Sequence, residues 1–123
     1  MQTPDYYLPI MPYLVIKNAK EFIVFLKKVF NAQERMIVPR EDGSIMHGEI
    51  SIGKAVVLFT DATDEYKPFP GGMFLQVENI DEVYKSALAN GATSTQELDN
   101  RDYGRSAGFQ DAFGNQWWLS KPE

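Results

Sequence analysis

The chain contains no cysteine, and His47 is its single histidine among 123 residues. Disulfides and thiolate chemistry are thereby excluded, and a cytoplasmic location is the default expectation. Long apolar runs are missing as well: none approaches the roughly 18 residues of a membrane span, and the longest are broken by Lys and Gly. The first ten residues carry Asp5 but no basic residue ahead of a short apolar patch, so no secretory signal is expected. Basic side chains are outnumbered, 12 against 17 acidic, and the net charge of −5 argues against a nucleic-acid partner. There is no glycine-rich phosphate loop, since Gly71-Gly72 precedes a strand-like segment rather than a helix. Serines and threonines are scattered with no histidine at motif spacing, which leaves nucleophilic triads without support. What remains is ordinary globular usage, 44% apolar and 24% charged. One domain over 1–123 is expected, long enough to remove about two-thirds of its unfolded surface from water.

Sliding the chain against itself by 61 positions brings out an internal repeat. Leu14 meets Leu75, Ile16 meets Val77, Asn18 meets Asn79, Gly53 meets Gly114 and Leu58 meets Leu119. Identities are few, but apolar positions, turn glycines and helix starts stay in step along the whole span. The polar, proline-rich stretch at about 63–71 reads as a linker between one module at about 10–62 and another at about 72–121.

Each module reads β-α-β-β-β. Leu14 and Ile16 alternate with Tyr13 and Val15 in a first strand over 12–17. Asn18 is placed to cap the helix that follows, with Glu21 three residues on as in a capping box. Phe22, Phe25, Leu26 and Val29 then fall at i, i+3, i+4 and i+7, a helical stripe, with Lys27 and Lys28 near its C-terminal end. Strands are expected over 34–40, 45–52 and 55–60, with Gly53-Lys54 as a hairpin turn. The second module repeats the pattern with a strand over 73–77, a helix over 81–90 stopped by Gly91, and three shorter strands. Its last strand is 116–120, after a turn at Gly114-Asn115.

Strand parity separates the two faces of each sheet. Met46, Gly48, Ile50 and Ile52 share the face expected under the helix, which leaves His47, Glu49 and Ser51 on the other. Trp117 pairs in parity with Leu119 and is expected in the core, while Trp118 takes the opposite face. Carrying the offset of 61 across the modules gathers Tyr13, His47, Glu49, Val57, Phe59, Phe74, Gln76, Gln110 and Trp118 on the faces away from the helices. An aromatic, concave surface with a few polar groups has the character of a small-molecule site.

The segments Pro12-Tyr-Leu…Asn18-Ala19, Asp42-Gly43 with His47-Gly-Glu-Ile-Ser-Ile-Gly53, Val77-Glu-Asn-Ile-Asp81, and Asp111-Ala-Phe-Gly-Asn115 with Trp117 resemble the vicinal oxygen chelate superfamily. The likeness is to its glyoxalase/bleomycin-resistance/dioxygenase branch and covers nearly the whole chain. It implies an α+β fold of two tandem βαβββ modules, each a cup-shaped half-barrel with its helix on the outer face. It also implies a homodimer with a ligand pocket in each cup and, in active members, a divalent metal held by His or Glu side chains. Carried onto this chain, those ligand positions fall near Met11 or Tyr13, near Gly72 or Phe74, near Val57, and on Trp118. None is a good ligand for such an ion, so neither metal nor other cofactor is expected.

Two readings of function follow. In the first, the protein captures an aromatic or cationic organic molecule without metal, using Tyr13, His47, Phe59, Phe74, Gln76, Tyr103, Arg105, Gln110 and Trp118. In the second, it is a lyase, isomerase or dioxygenase-type enzyme with His47 and Glu49 as an acid–base pair or partial divalent-metal site. Each residue also has a plainer reading. His47 can be a hydrogen-bonded strand residue, Glu49 a carboxylate in water or paired with Arg40 or Arg101, and Trp118 part of a dimer interface. Tyr103 and Arg105 can be a ligand lid or a solvated loop, and Asp61, Asp64 and Glu65 are expected only to aid solubility.

Overall fold

A computed structural model describes residues 2–123. The chain divides into two compact units, 1–69 and 70–123, and the division falls inside the stretch expected as a linker. The first unit runs β1 (Tyr13–Ile16), α1 (Ala19–Phe30), β2 (Gln33–Pro39), β3 (Ile45–Ile52) and β4 (Ala55–Asp61). The second runs β5 (Gly72–Gln76), α2 (Ile80–Ala89), β6 (Thr93–Arg101), β7 (Gly104–Gln110) and β8 (Gln116–Ser120). Each unit is one four-stranded sheet, ordered β1-β4-β3-β2 and β5-β8-β7-β6, with its first strand parallel to its last and the other pairs antiparallel. This is the α+β pair of βαβββ modules.

Helix α1 forms where its apolar stripe predicts, and it buries Phe22, Phe25, Leu26 and Val29. Against them lie Leu14, Ile16, Ile50 and Phe59, with the Phe22 and Phe59 rings edge to face at 5.6 Å between centroids. The helix start differs from expectation. Asn18 adopts the left-handed conformation (φ 66°, ψ 61°), and its side chain caps nothing. Asp61, at the end of β4, does the work instead: Oδ1 accepts the Ala19 N–H at 2.8 Å and Oδ2 accepts the Ile45 N–H at 2.7 Å. A residue expected only to keep the chain soluble thus ties α1, β3 and β4 together.

The Asp111-Ala-Phe-Gly-Asn115 segment is a five-residue connection between β7 and β8, since Gln110 pairs with Gln116, rather than the tight two-residue turn expected. Asp111 Oδ1 accepts the N–H groups of Phe113 and Asn115, and Oδ2 accepts from Asn115 Nδ2 and Trp117 Nε1, all at 2.9 Å. Asn115 Oδ1 in turn accepts the Gly71 N–H at 2.9 Å, which anchors the entry to β5. The motif is a buried hydrogen-bonded corner, and Trp117 is in the core as expected.

Register corrects the face assignment. Leu14 lies beside Phe59 as Leu75 lies beside Leu119, so the offset is 61 on the first strands but 60 on the last. Ile50 faces Val57 as Phe109 faces Trp117, which makes it 59 on β3 and β7. A uniform offset therefore misplaces β4 by one residue, and one residue inverts the face. Val57 and Phe59 point toward α1 and are buried in the core; Leu58 takes the open face, away from the helix, between Tyr13 and Glu49. Phe59 is thus removed from the candidate ligand site.

Candidate functional site

On the open face of the first sheet, β3 presents His47 and Glu49 side by side. Glu49 is 0% exposed although its face carries no helix. The cover is the N-terminal strap: the Tyr6 hydroxyl donates to Oε1 at 2.5 Å, and the Tyr7 hydroxyl donates to Oε2. His47 Nε2 lies 2.7 Å from the same Oε2, and its Nδ1 lies 3.0 Å from the Tyr13 hydroxyl. A neutral imidazole protonated on Nε2 satisfies both contacts, donating to the carboxylate and accepting from Tyr13. The Arg35 guanidinium covers the Tyr6 ring 5.3 Å from its centroid and donates to Ser51 at 3.1 Å.

The electrostatics follow from these bonds. Burial pushes the Glu49 carboxyl up, but the hydrogen bonds from Tyr6, Tyr7 and His47 together pull harder, and it is held below the ordinary carboxylate range. The same bond to Glu49, reinforced by burial, pushes the Tyr6 phenol up to about 12, and Tyr7 is raised for the same reasons. Neither expected ion-pair partner of Glu49 is used. Arg40 donates to Thr60 and to the Asp61 carbonyl, while Arg101 in the second unit braces the Glu97 carbonyl and Ser106.

The open face of the second sheet is built differently. By register, Ser106 stands where the first unit has His47, Gly108 where it has Glu49, and Trp118 where it has Leu58. Neither Ser106 nor Gly108 supplies the imidazole or the carboxylate of the first unit. Phe74 and Trp118 are neighbours across the parallel β5–β8 ladder and stay exposed, 68% and 47%. With Tyr103, 65% exposed, they border a concavity of about 500 Å³ that also takes in Gln96, Ser106 and Ser120. Gln96 donates to the Tyr103 hydroxyl at 3.2 Å.

Of the residues expected in a ligand site, the structure gathers Tyr13, His47 and Glu49 on one sheet and Phe74, Tyr103 and Trp118 on the other. Gln76 shares the Phe74 face one step along β5, and Gln110 lies exposed at the far end of β7 against Thr93 and Gln116; neither lines the concavity. Arg105 is no lid: parity turns it toward α2, where Nε and Nη2 clasp Asp81 at 2.8 and 2.9 Å. Sequence reasoning missed Tyr6, Tyr7 and Gln96. The one signal for the first two is an aromatic pair set in a segment without periodicity, between Pro4 and Pro9.

Residues 6–119 match the family described as the Glyoxalase/Bleomycin resistance protein/Dioxygenase superfamily. The chain belongs to that superfamily. A relative in Mycobacterium bovis, itself uncharacterized, is 29% identical over 90% of this chain and 81% of its own length. Among solved structures, the fold is shared by TnmS3, an antibiotic binding protein from Streptomyces sp. CB03234, with a TM-score of 0.70 and 17% identity over 95% of this chain and all of that one. It is shared equally by the fosfomycin resistance protein FosX from Listeria monocytogenes, solved with Mn(II) and sulfate (TM-score 0.70, 19% identity, 93% of this chain and 89% of that one).

The glyoxalase-type fold implies a divalent metal held from the first and last strands of each module. Those open-face positions here are Tyr13 and Leu58 in one unit, Phe74 and Trp118 in the other. They offer neither imidazole nor carboxylate, and His47 and Glu49 are bonded to each other and to tyrosines. Among the described residues no three His, Asp or Glu side chains converge to hold an ion, so the donor set does not fit the metal. Among the same residues no helix is long and apolar enough to cross a membrane.

Proposed function

We propose that the protein is a metal-independent binder of a small planar aromatic or cationic organic molecule, which stacks on Phe74 and Trp118 with Tyr103 at the rim. The observation that carries this reading is three large aromatic side chains left exposed around one concavity with Gln96, Ser106 and Ser120 as polar contacts. Exposed aromatic clusters of this kind favour a partner, and their ring faces attract cations. Residues 70–123 hold eight acidic and four basic side chains, so the field around the site favours a cation over an anion. A cation over one ring contributes about 0.5–2 kcal/mol. Micromolar affinity needs about 8 kcal/mol, so most of the rest must come from ligand surface buried in the concavity. The antibiotic binding TnmS3 supports a binding role for the fold.

Proflavine, a planar aromatic cation, is the probe. Quenching of Trp118 fluorescence is expected, unchanged by EDTA and weakened at least about tenfold by Trp118→Ala. Loss of binding on chelation, or binding indifferent to Trp118→Ala, overturns the proposal. The competing reading, an enzyme of the lyase, isomerase or dioxygenase type using His47 and Glu49, draws on the hydrogen-bonded chain from Tyr13 through His47 to Glu49. Turnover of α-ketoaldehyde–thiol adducts, abolished by His47→Ala, would establish it. We place the protein in the cytoplasm as a homodimer, the partner covering an open sheet edge. Sedimentation as a monomer at micromolar concentration would refute the dimer.

A further inference from the structure

On the open face of the first sheet the N-terminal strap covers Glu49. Residues 2–12 belong to no helix or strand. A turn bond from the Tyr7 N–H to the Pro4 carbonyl, 3.2 Å, shapes the strap. Tyr6 and Tyr7 are hydrogen-bonded to the sheet through their phenol groups alone, both on Glu49. Beside Glu49's cover, strap residues 5–8 border a concavity of about 300 Å³ together with Arg35, Ser51, Lys54 and Val56.

Glu49 receives three donors, and two of them are phenols from this terminal segment; the third is His47. With the strap lifted, the carboxylate keeps one protein partner, His47, and its freed lone pairs accept O–H donors from water or from a ligand seated where the phenols were. We propose that this face is a binding site for a phenolic molecule, with Glu49 accepting its hydroxyl beside His47, and that Tyr6 and Tyr7 fill it in cis. Ring and hydroxyl positions are both read from the tyrosines already there. The Arg35 guanidinium lies against the ring position, which favours an electron-rich arene and disfavours a cation, while Glu49 disfavours a carboxylate. The expected ligand therefore differs in class from the one proposed for the second unit, and a different observation supports it.

The test uses the full chain carrying Tyr6→Ala and Tyr7→Ala, with p-cresol, the tyrosine side chain itself, as probe and toluene as its hydroxyl-free control. His47 is the sole histidine, so its ring Cε1–H resonance reports this face alone. The expected result is a p-cresol-dependent shift of that resonance in the variant, half-saturating at a concentration at least about tenfold lower than in the unmodified chain, where the tethered tyrosines compete. Toluene should produce no such shift, and adding Glu49→Gln should abolish the response to p-cresol. A folded variant whose His47 resonance ignores p-cresol, or answers toluene equally, overturns the proposal. So does an unmodified chain that binds as tightly. If the double variant does not fold, the same titration on Tyr7→Ala decides by the same criteria. Adding Trp118→Ala should leave this titration untouched, which separates its outcome from that of the aromatic site.

Discussion

The Phe59 ring lies directly over Gly48, so that a β-carbon at residue 48 would stand 2.3 Å from the ring's Cζ. Neither group can yield easily: Gly48 pairs with Phe59 across the β3–β4 ladder, and Phe59 is pressed against Phe22 of α1. Gly48→Ala is expected to destabilise the fold by about 2–3 kcal/mol through overpacking. Adding Phe59→Leu should recover part of that loss. Denaturant titration of the two single variants and the double variant measures the coupling; strict additivity would contradict the contact.

Asp61 is the cap that the helix lacks locally. Asp61→Ala removes the acceptor of both the Ala19 and Ile45 N–H groups, for an expected loss of about 2 kcal/mol. Hydrogen exchange should quicken at those two amides in particular. Asn18→Ala, by contrast, should remove no cap, because the Asn18 side chain makes no capping bond.

Asp111 and Trp118 should separate stability from binding. Asp111→Ala leaves the Trp117 Nε1–H and the Asn115 amide without their buried acceptor, at an expected cost of about 3 kcal/mol or more. Trp118→Ala, on the open face, should shift the unfolding midpoint little while weakening proflavine. Paired thermal melts and titrations check both.

The Glu49 cluster sets opposite pH limits. Because folding holds the Glu49 carboxyl below its ordinary value of 4.5, its contribution is present above that value and is lost as pH falls through the lower folded one. Tyr6 runs the other way: its contribution is complete below pH 10 and disappears as pH rises toward about 12. Glu49→Gln should flatten the acid limb of stability against pH, and Tyr6→Phe the alkaline limb. Curves parallel to the unmodified chain's would contradict the cluster.

Much of this architecture is legible in the residues themselves. The β3 and β8 boundaries, the α1 stripe and the burial of Trp117 all follow from periodicity and turn chemistry, which act over a few residues. The site is less legible. The two modules keep step at 61 on β1 and β5, but the five-residue Asp111–Asn115 corner replaces the two-residue Gly53-Lys54 turn, and the face of β4 is inverted relative to a uniform offset. That slip put Phe59 on the wrong face and Val57 where Leu58 stands. Arg105 misled for a related reason, since a loop reading ignores the β7 parity that sends it to Asp81.

The sequence by itself determined the duplicated βαβββ plan and the two helices, because each rests on local spacing. Only the tertiary structure decided that the two open faces differ in chemistry. One is filled by Tyr6 and Tyr7 over Glu49, through contacts 43 and 42 residues apart in the chain, and the other is left aromatic and open. The physical reason is that a strap without regular structure carries no periodic signal, and a hydroxyl's partner is set by where the folded chain brings a buried carboxylate.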